Sequence, residues 1–277
     1  MDYVAELVGL TFLTVSFFWM WVAKLLFDRG ERDADHAIEE RSHLPSALRR
    51  AGIYIAIPTA LYGLLRSPEA GYRADVVGAA LNGGVLTALL LLGGRVGERV
   101  LLPRRPRADA GRPRSLAEAI VEAAAFIATG IIAQGAFSGT GGSLLSAIAF
   151  FVLGEAALLG VVRLYEGLSR IPVRTEVRAG NSAAALLVGG MLVSYSLVLS
   201  SAVAGDFTGW LPDLQHFAWG ALKGTVIVVA ALWPIDGLFL PNTDLKTEVV
   251  RDRNVAAVAV ATGVQFALAL LVAGIFL

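Results

Sequence analysis

The sequence predicts an all-α polytopic membrane protein, with eight transmembrane helices arranged as two parallel four-helix repeats. Three observations carry this reading. The chain holds long uncharged runs, among them Ala179–Gly205 and Asn254–Leu277, and a helix needs about 20 apolar residues to cross about 30 Å of hydrocarbon. Its composition is shifted toward lipid, at 56% hydrophobic and 17% charged residues, against about 25% charged in soluble domains. Displaced by 139 residues, it partly repeats itself.

The spans follow in order. The first is Val4–Phe27, with Glu6 and Lys24 at its two interfaces. The second, Leu44–Leu65, is lengthened by snorkelling of Arg49 and Arg50 and should bend at Pro58, with Thr59 or neighbouring groups satisfying the freed carbonyls. The third is Val76–Gly94. The run Ala123–Gly154 is too long for one crossing, and the turn-type cluster Ser138-Gly-Thr-Gly-Gly142 divides it. That gives a fourth span, Ser115–Phe137, and a fifth, Leu144–Tyr165. The sixth is Ala179–Gly205. The seventh is Leu214–Leu240, with Pro234 near its inner end, and the eighth is Asn254–Leu277. Barrel strands would alternate polar and apolar residues, and these runs do not. The first run is too long for a cleaved signal peptide, and no basic segment precedes it.

Composition also excludes classes of function. A mean hydropathy of +0.67 rules out a soluble enzyme, a disordered chain or a secreted disulfide scaffold. Lys+Arg and Asp+Glu balance at 23 each, so no basic excess points to nucleic acid. With no cysteine there is no disulfide, thiolate metal site or Cys nucleophile. The catalytic motifs of phosphate-binding loops, zinc proteases and serine hydrolases are missing, and no loop is large enough for a soluble lobe. The expectation is therefore no enzyme, no cofactor and no metal. His36 and His43 stand among the acids of the first loop without a metal-ligand spacing, and that loop reads as a solvated, charge-mixed segment.

Orientation follows from Lys and Arg in short loops. Basic residues crowd the loops after the first, third, fifth and seventh spans, while the opposite loops carry only Arg66 and Arg73. Both termini are expected outside, with the basic loops in the cytoplasm. The loop with Arg104, Arg105 and Arg107 is basic and broken by proline, which suits anionic lipid headgroups.

The 139-residue shift lays the fourth span on the eighth without a gap, matching Arg112 with Arg251, Val121 with Val260, Gly135 with Gly274 and Phe137 with Phe276. It also lays the first span on the fifth, through Phe12 with Phe151 and Val22 with Val161. Residues 1–138 and 139–277 read as two copies of one four-helix unit. An even number of spans per copy makes the copies parallel, about an axis along the membrane normal, so a pseudo-dimer with a central interface is expected.

The second copy carries Asn181-Ser-Ala-Ala-Ala, Gly189-Gly190, Ser200-Ser-Ala, Phe217-Ala-Trp-Gly220 and Asn254-Val-Ala-Ala. In this order the motifs resemble the YjfL-like family of small bacterial inner-membrane proteins, a domain of unknown function, and residues 144–277 cover the whole family unit. The first copy departs from them, with Pro45 near the place of Asn181 and Ser115 in that of Asn254. The resemblance implies a four-helix membrane unit, here in tandem, and an association with envelope-stress systems. It implies no activity and no catalytic residues.

An ionisable group at mid-membrane depth is a functional candidate, since leaving a charge there costs at least about 2.5–3.5 kcal/mol. Glu155 lies about 17 Å into the fifth span and Lys223 about 14 Å into the seventh, from the same outer face. The two are expected to face each other, either as a structural ion pair or as a step on a proton or ion pathway. The first copy has Ser16 and Asn82 at the matching places. Glu122 is a third pathway candidate, one turn below Glu118 and facing a cytoplasmic vestibule. Ser115 and Glu118 have capping-box spacing, and Asn181 and Asn254 read as caps of the sixth and eighth spans. Gly220 and Gly224 form a close-packing Gly-x-x-x-Gly. Tyr195, Ser194, Ser196 and Gln265 read as interhelix hydrogen-bonding groups. Trp19, Trp21, Trp210, Trp219 and Trp233 include interface anchors, Trp210 above all.

The sequence thus favours a small transporter or channel-like protein. The alternative is a non-transporting membrane scaffold that docks a cytoplasmic protein partner or anionic lipid through its basic loops. A homo-oligomer is left open.

Overall fold

The computed structural model describes residues 3–28, 38, 43–65, 72–102, 115–169, 171–230, 238 and 244–275. Every regular element among them is a helix. They are α1 (Tyr3–Asp28), α2 (Leu44–Leu65), α3 (Tyr72–Leu101), α4 (Leu116–Ala136), α5 (Leu144–Ser169), the short α6 (Val173–Arg178), α7 (Ser182–Val203), α8 (Trp210–Ala230), a π-helical turn at Thr247–Arg251, and α9 (Val255–Ile275). Among the described residues six helices, α1, α3, α4, α5, α7 and α9, are long and apolar enough to cross a membrane. Helices α2 and α8 have comparable length but more polar sequences, with Arg49 and Arg50 on α2 and Asp213, His216 and Lys223 on α8.

Four helices, α2, α4, α7 and α9, lie side by side in a row, and small residues set their spacing. A β-carbon at Gly52 of α2 would stand 2.6 Å from the Ala123 Cα of α4, and one at Gly130 of α4 would stand 2.7 Å from the Ala56 carbonyl oxygen of α2. Only glycine lets the two backbones come this close, and in lipid such packing is what drives association. Further along, Gly63 closes on Gln134, so residue numbers rise together and α2 runs parallel to α4. On the other side of α4, Gly189 of α7 meets Ala124 and Gly135 meets Ser200, again in parallel. Gly190 of α7 then receives Thr262 of α9, 2.6 Å from where its β-carbon would stand.

The other helices flank this row. Helix α3 runs antiparallel along α4, with Gly93, Gly94 and Gly97 against Thr129, Phe126 and Ala125. Helix α5 packs on α4 through Gly154 and Ile132 and on α7, while α8 covers α7 with Gly224 on Val198. Helix α1 lies on α3 and α2, its Trp19 indole over Gly83 and Gly84.

The Gly52–Ala123 and Gly190–Thr262 crossings are the same crossing seen twice, 138 residues apart on one helix and 139 on the other. The central interface between the copies is α4 on α7. It is not the contact of a two-fold pseudo-dimer, which would also require α9 to pack on α2. No comparable packing joins those two among the described residues. Parallel topology fixes which way each copy points in the membrane, but not the rotation between the copies. Here the copies stand head to tail.

Candidate functional site

Gly154 lets α5 approach α4 closely, and the next residue, Glu155, is carried into the seam between α3, α4 and α5. Its side chain is 9% exposed. Thr129 of α4 is the polar side chain beside the carboxyl, Phe151 lies one turn along α5, and Gly93 of α3 leaves the room it fills. One carboxyl oxygen, Oε1, is buried with no hydrogen-bond partner among the described residues. The seam is an inter-repeat site, because α5 belongs to the second copy and α3 and α4 to the first.

At the end of the bundle that carries the basic loops, Arg49 is 8% exposed. Its Nε lies 3.2 Å from Glu122 Oε2 and its Nη2 lies 3.4 Å from Glu98 Oε2, so one guanidinium ties α2, α3 and α4 together. The expected snorkelling of Arg49 is therefore corrected: it turns inward. Glu122, 1% exposed, faces this ion cluster and not an open vestibule. Two carboxylates on neighbouring helices compensate the buried guanidinium's charge.

The opposite end opens into a cavity of about 380 Å3, with Asn82, Thr140, Ser146, Phe150, Asp206 and His216 in its wall. The Thr140 amide (2.6 Å) and hydroxyl (2.8 Å) both donate to Asp206 Oδ1, and the Phe207 amide donates to the Thr140 carbonyl at 2.9 Å. This pins the segment joining the copies to the α7–α8 loop. The Thr140 hydroxyl, and then its amide, hold the Asp206 carboxyl below the usual Asp range. Trp210 stacks on Phe150 at 6.4 Å at the rim of the same cavity.

Helix α3 links the three places. Asn82 is in the cavity, Gly93 is at Glu155 and Glu98 is in the Arg49 cluster at the other end. Along the helix axis Thr87 stands between the first two, buried, with no partner for its hydroxyl oxygen among the described residues. At 1.5 Å per residue the steps along this row are about 7.5–9 Å.

The expected meeting of Glu155 and Lys223 is not found. Glu155 turns toward α3 and α4, whereas Lys223 is exposed on the outer side of α8. Counting residues from a helix end gives depth but not the direction around the helix, and α8 turns Gly220 and Gly224 inward instead. Gly224 meets Val198 and Gly220 is buried.

The cap residues sit at helix starts. The Glu118 amide donates to Ser115 Oγ at 3.2 Å, and the Ser115 amide donates to Glu118 Oε2 at 3.1 Å. Asn181 Oδ1 accepts from Ala183 and Ala184, while its Nδ2 donates to Glu176 and, at 2.7 Å, to the Val249 carbonyl. Asn254 accepts from Ala256 and Ala257 in an exposed cap. The Tyr195 hydroxyl bonds Thr225 and the Ala221 carbonyl of α8. Arg104, Arg105, Arg107, His36, Trp233 and Pro234 lie outside the described residues.

Sequence reasoning missed the Arg49 cluster and the Thr129–Gly93 surroundings of Glu155. The first had a signal, since Arg49 and Glu122 each lie about two turns from the basic-loop end of their helices. The second had none, because a threonine and a glycine inside apolar helices are ordinary packing residues.

No curated protein and no solved structure matches this chain. One family's sequence model matches it twice, over residues 2–137 and 140–276, which are the two copies just described. The chain belongs to the family described as Domain of Unknown Function (DUF350), as a tandem duplication of its YjfL-like unit.

Proposed function

We propose that this protein moves protons or a small monovalent cation across the inner membrane of a bacterium, through the seam between α3, α4 and α5. The observation that carries the reading is Glu155, a mid-depth carboxyl buried at the junction of the two copies, one oxygen of which has no hydrogen-bond partner among the described residues. A carboxylate at that depth needs compensation, and among the described residues the polar side chain beside it is the neutral Thr129. A proton or a bound cation supplies that compensation and can be exchanged.

On this reading the outer cavity admits the ion, Glu155 takes it up, and the Arg49–Glu98–Glu122 cluster closes the inner end. Arg49 repels a cation until its ion pairs rearrange. Steps of about 7.5–9 Å along α3 exceed hydrogen-bond reach, so conduction needs water in the seam. Glu155 and Glu122 keep their places as pathway residues, and Lys223 does not.

The same reading has all eight long helices crossing the bilayer. Helix α2 follows α4 from Gly52 to Gly63, and α8 is joined to α7 by a short loop and packs on it. The basic loops lie in the cytoplasm and both termini lie outside, by the Lys/Arg asymmetry.

The test is flux in proteoliposomes, read with a pH dye and cation-selective electrodes, for wild type and Glu155→Gln. Flux that is present in wild type and lost in the folded variant is the expected result. Wild type indistinguishable from empty liposomes would overturn the proposal. Glu155 would then be a structural group, and docking of a partner or anionic lipid on the basic loops would take its place.

A further inference from the structure

The outward faces of the two end helices of the row, α2 and α9, are the repeat equivalents of the two faces that meet in its middle. On α4, Ile120 and Ala124 receive Gly189 of α7, and Gly135 receives Ser200. Moved by 139 residues, the α4 positions become Ala259, Gly263 and Gly274 of α9, all exposed. Among the described residues nothing lies within 4 Å of where β-carbons of Gly263 and Gly274 would stand. On α7 the partners are Gly189 and Ser200. The 138-residue offset fixed by Gly52 and Gly190 turns these into Ala51 and Tyr62 of α2, both exposed, with Ile55 exposed on the same stripe. Ile132 of α4 is fully buried under α5, while its equivalent Leu271 on α9 is 54% exposed.

The chain therefore carries, at its two ends, one free copy of each half of an interface that it has already made once within itself. We infer that a second copy of this chain is the occupant: α9 of one molecule packs on α2 of the next, in parallel, as α4 packs on α7. The faces fit in the same register. Gly189 on Ala124 becomes Ala51 on Gly263, a small pair in which the glycine has changed sides. Gly135 against Ser200 becomes Gly274 against Tyr62, with the open glycine facing the larger ring. Lipid offers no hydrophobic gain for burying such faces, so close backbone approach over small residues provides the association. The contact is head-to-tail, so it either closes into a ring or extends as a row. The inference does not depend on transport.

The absence of cysteine makes the test clean. In one molecule positions 51 and 263 stand at opposite ends of the row, so an Ala51→Cys/Gly263→Cys variant can form disulfides only between molecules. Oxidation in native membranes is expected to give a ladder of dimers and higher species, several-fold above a Leu92→Cys/Gly263→Cys control whose first cysteine lies on the exposed side of α3. Adding Gly274→Leu, where a β-carbon would meet none of the described residues of its own chain, is expected to remove the ladder while leaving expression unchanged. Single-molecule bleaching of the tagged wild type should show more than one step. Cross-linking no greater than the control, a ladder indifferent to Gly274→Leu, or bleaching in one step would each overturn the inference.

Discussion

Glu155 of the second copy lies against Gly93 of the first, its carboxyl carbon 3.6 Å from where a β-carbon at position 93 would stand. A methyl there would also fall 3.0 Å from Thr129 Cγ2 and 3.2 Å from Phe151 Cζ. Gly93→Ala is therefore expected to destabilise the protein by about 1–3 kcal/mol through overpacking. At Gly97 the new methyl would meet Ala125 Cβ at an ordinary 3.6 Å, so Gly97→Ala should be neutral or slightly stabilising, since alanine favours helix by up to about 1 kcal/mol. Unfolding of both variants in detergent micelles checks the contrast, and equal losses would count against this packing.

The Arg49–Glu98–Glu122 cluster should behave as a buried ion network. Removing one partner of a buried pair typically costs about 3–5 kcal/mol. Glu122→Ala is expected toward the low end of that range because Arg49 keeps Glu98. Replacing the triad together, as Arg49→Met with Glu98→Gln and Glu122→Leu, should recover most of the loss, because neither of these two partners of Arg49 is then left charged. A thermal-unfolding double-mutant cycle on Arg49 and Glu122 reads the coupling, and additive losses would show that the pair does not interact.

Two asparagine caps with the same local pattern should differ in strength. Asn254 caps an exposed helix start, and Asn254→Ala should cost about 1 kcal/mol. Asn181 is buried and also bonds Glu176 and the Val249 carbonyl, so Asn181→Ala should add the loss of an unsatisfied buried carbonyl, about 1–3 kcal/mol. Equal melting temperatures for the two variants would contradict this ranking.

The Thr140–Asp206 staple should respond to pH in one direction. The Asp206 carboxyl is held below its ordinary range by the Thr140 hydroxyl and amide. Its stabilising contribution is therefore complete above the ordinary Asp value of about 3.9 and is lost as pH falls through the lowered native value. Carbon-detected NMR titration should place the Asp206 midpoint below that of an unstructured Asp, and Thr140→Ala should move it back up. An unshifted wild-type midpoint would mean that the staple does not form in solution.

How far the sequence foretold this molecule depends on which property is asked about. Uncharged runs located the long apolar helices, because the length of hydrocarbon to be crossed is written in residue number. The 139-residue self-match separated the two copies, and the Ser115-x-x-Glu118 spacing marked the start of α4. Lys223 shows what linear spacing leaves out: its depth resembled that of Glu155, yet the direction of a side chain depends on which neighbour the glycines of its helix admit. Arg49 shows the same from the other side. A long basic side chain near a helix end can reach out or turn in, and here Glu122 and Glu98, on two other helices, hold it inward. The head-to-tail relation of the copies is likewise set by Gly189, Ala124 and Gly135 in contact, which no periodicity contains.

The central claim is that water reaches the α3–α5 seam from the outer cavity. With no native cysteine, single-cysteine accessibility tests it most directly. Thr129→Cys sits beside Glu155 in the seam, and Leu92→Cys sits on the exposed side of α3 as a lipid-facing control. A membrane-impermeant thiol reagent added to the outer side is expected to label Thr129→Cys well above Leu92→Cys. Labelling of Thr129→Cys no faster than the lipid-facing control would mean a dry, packed seam and would contradict the transport account.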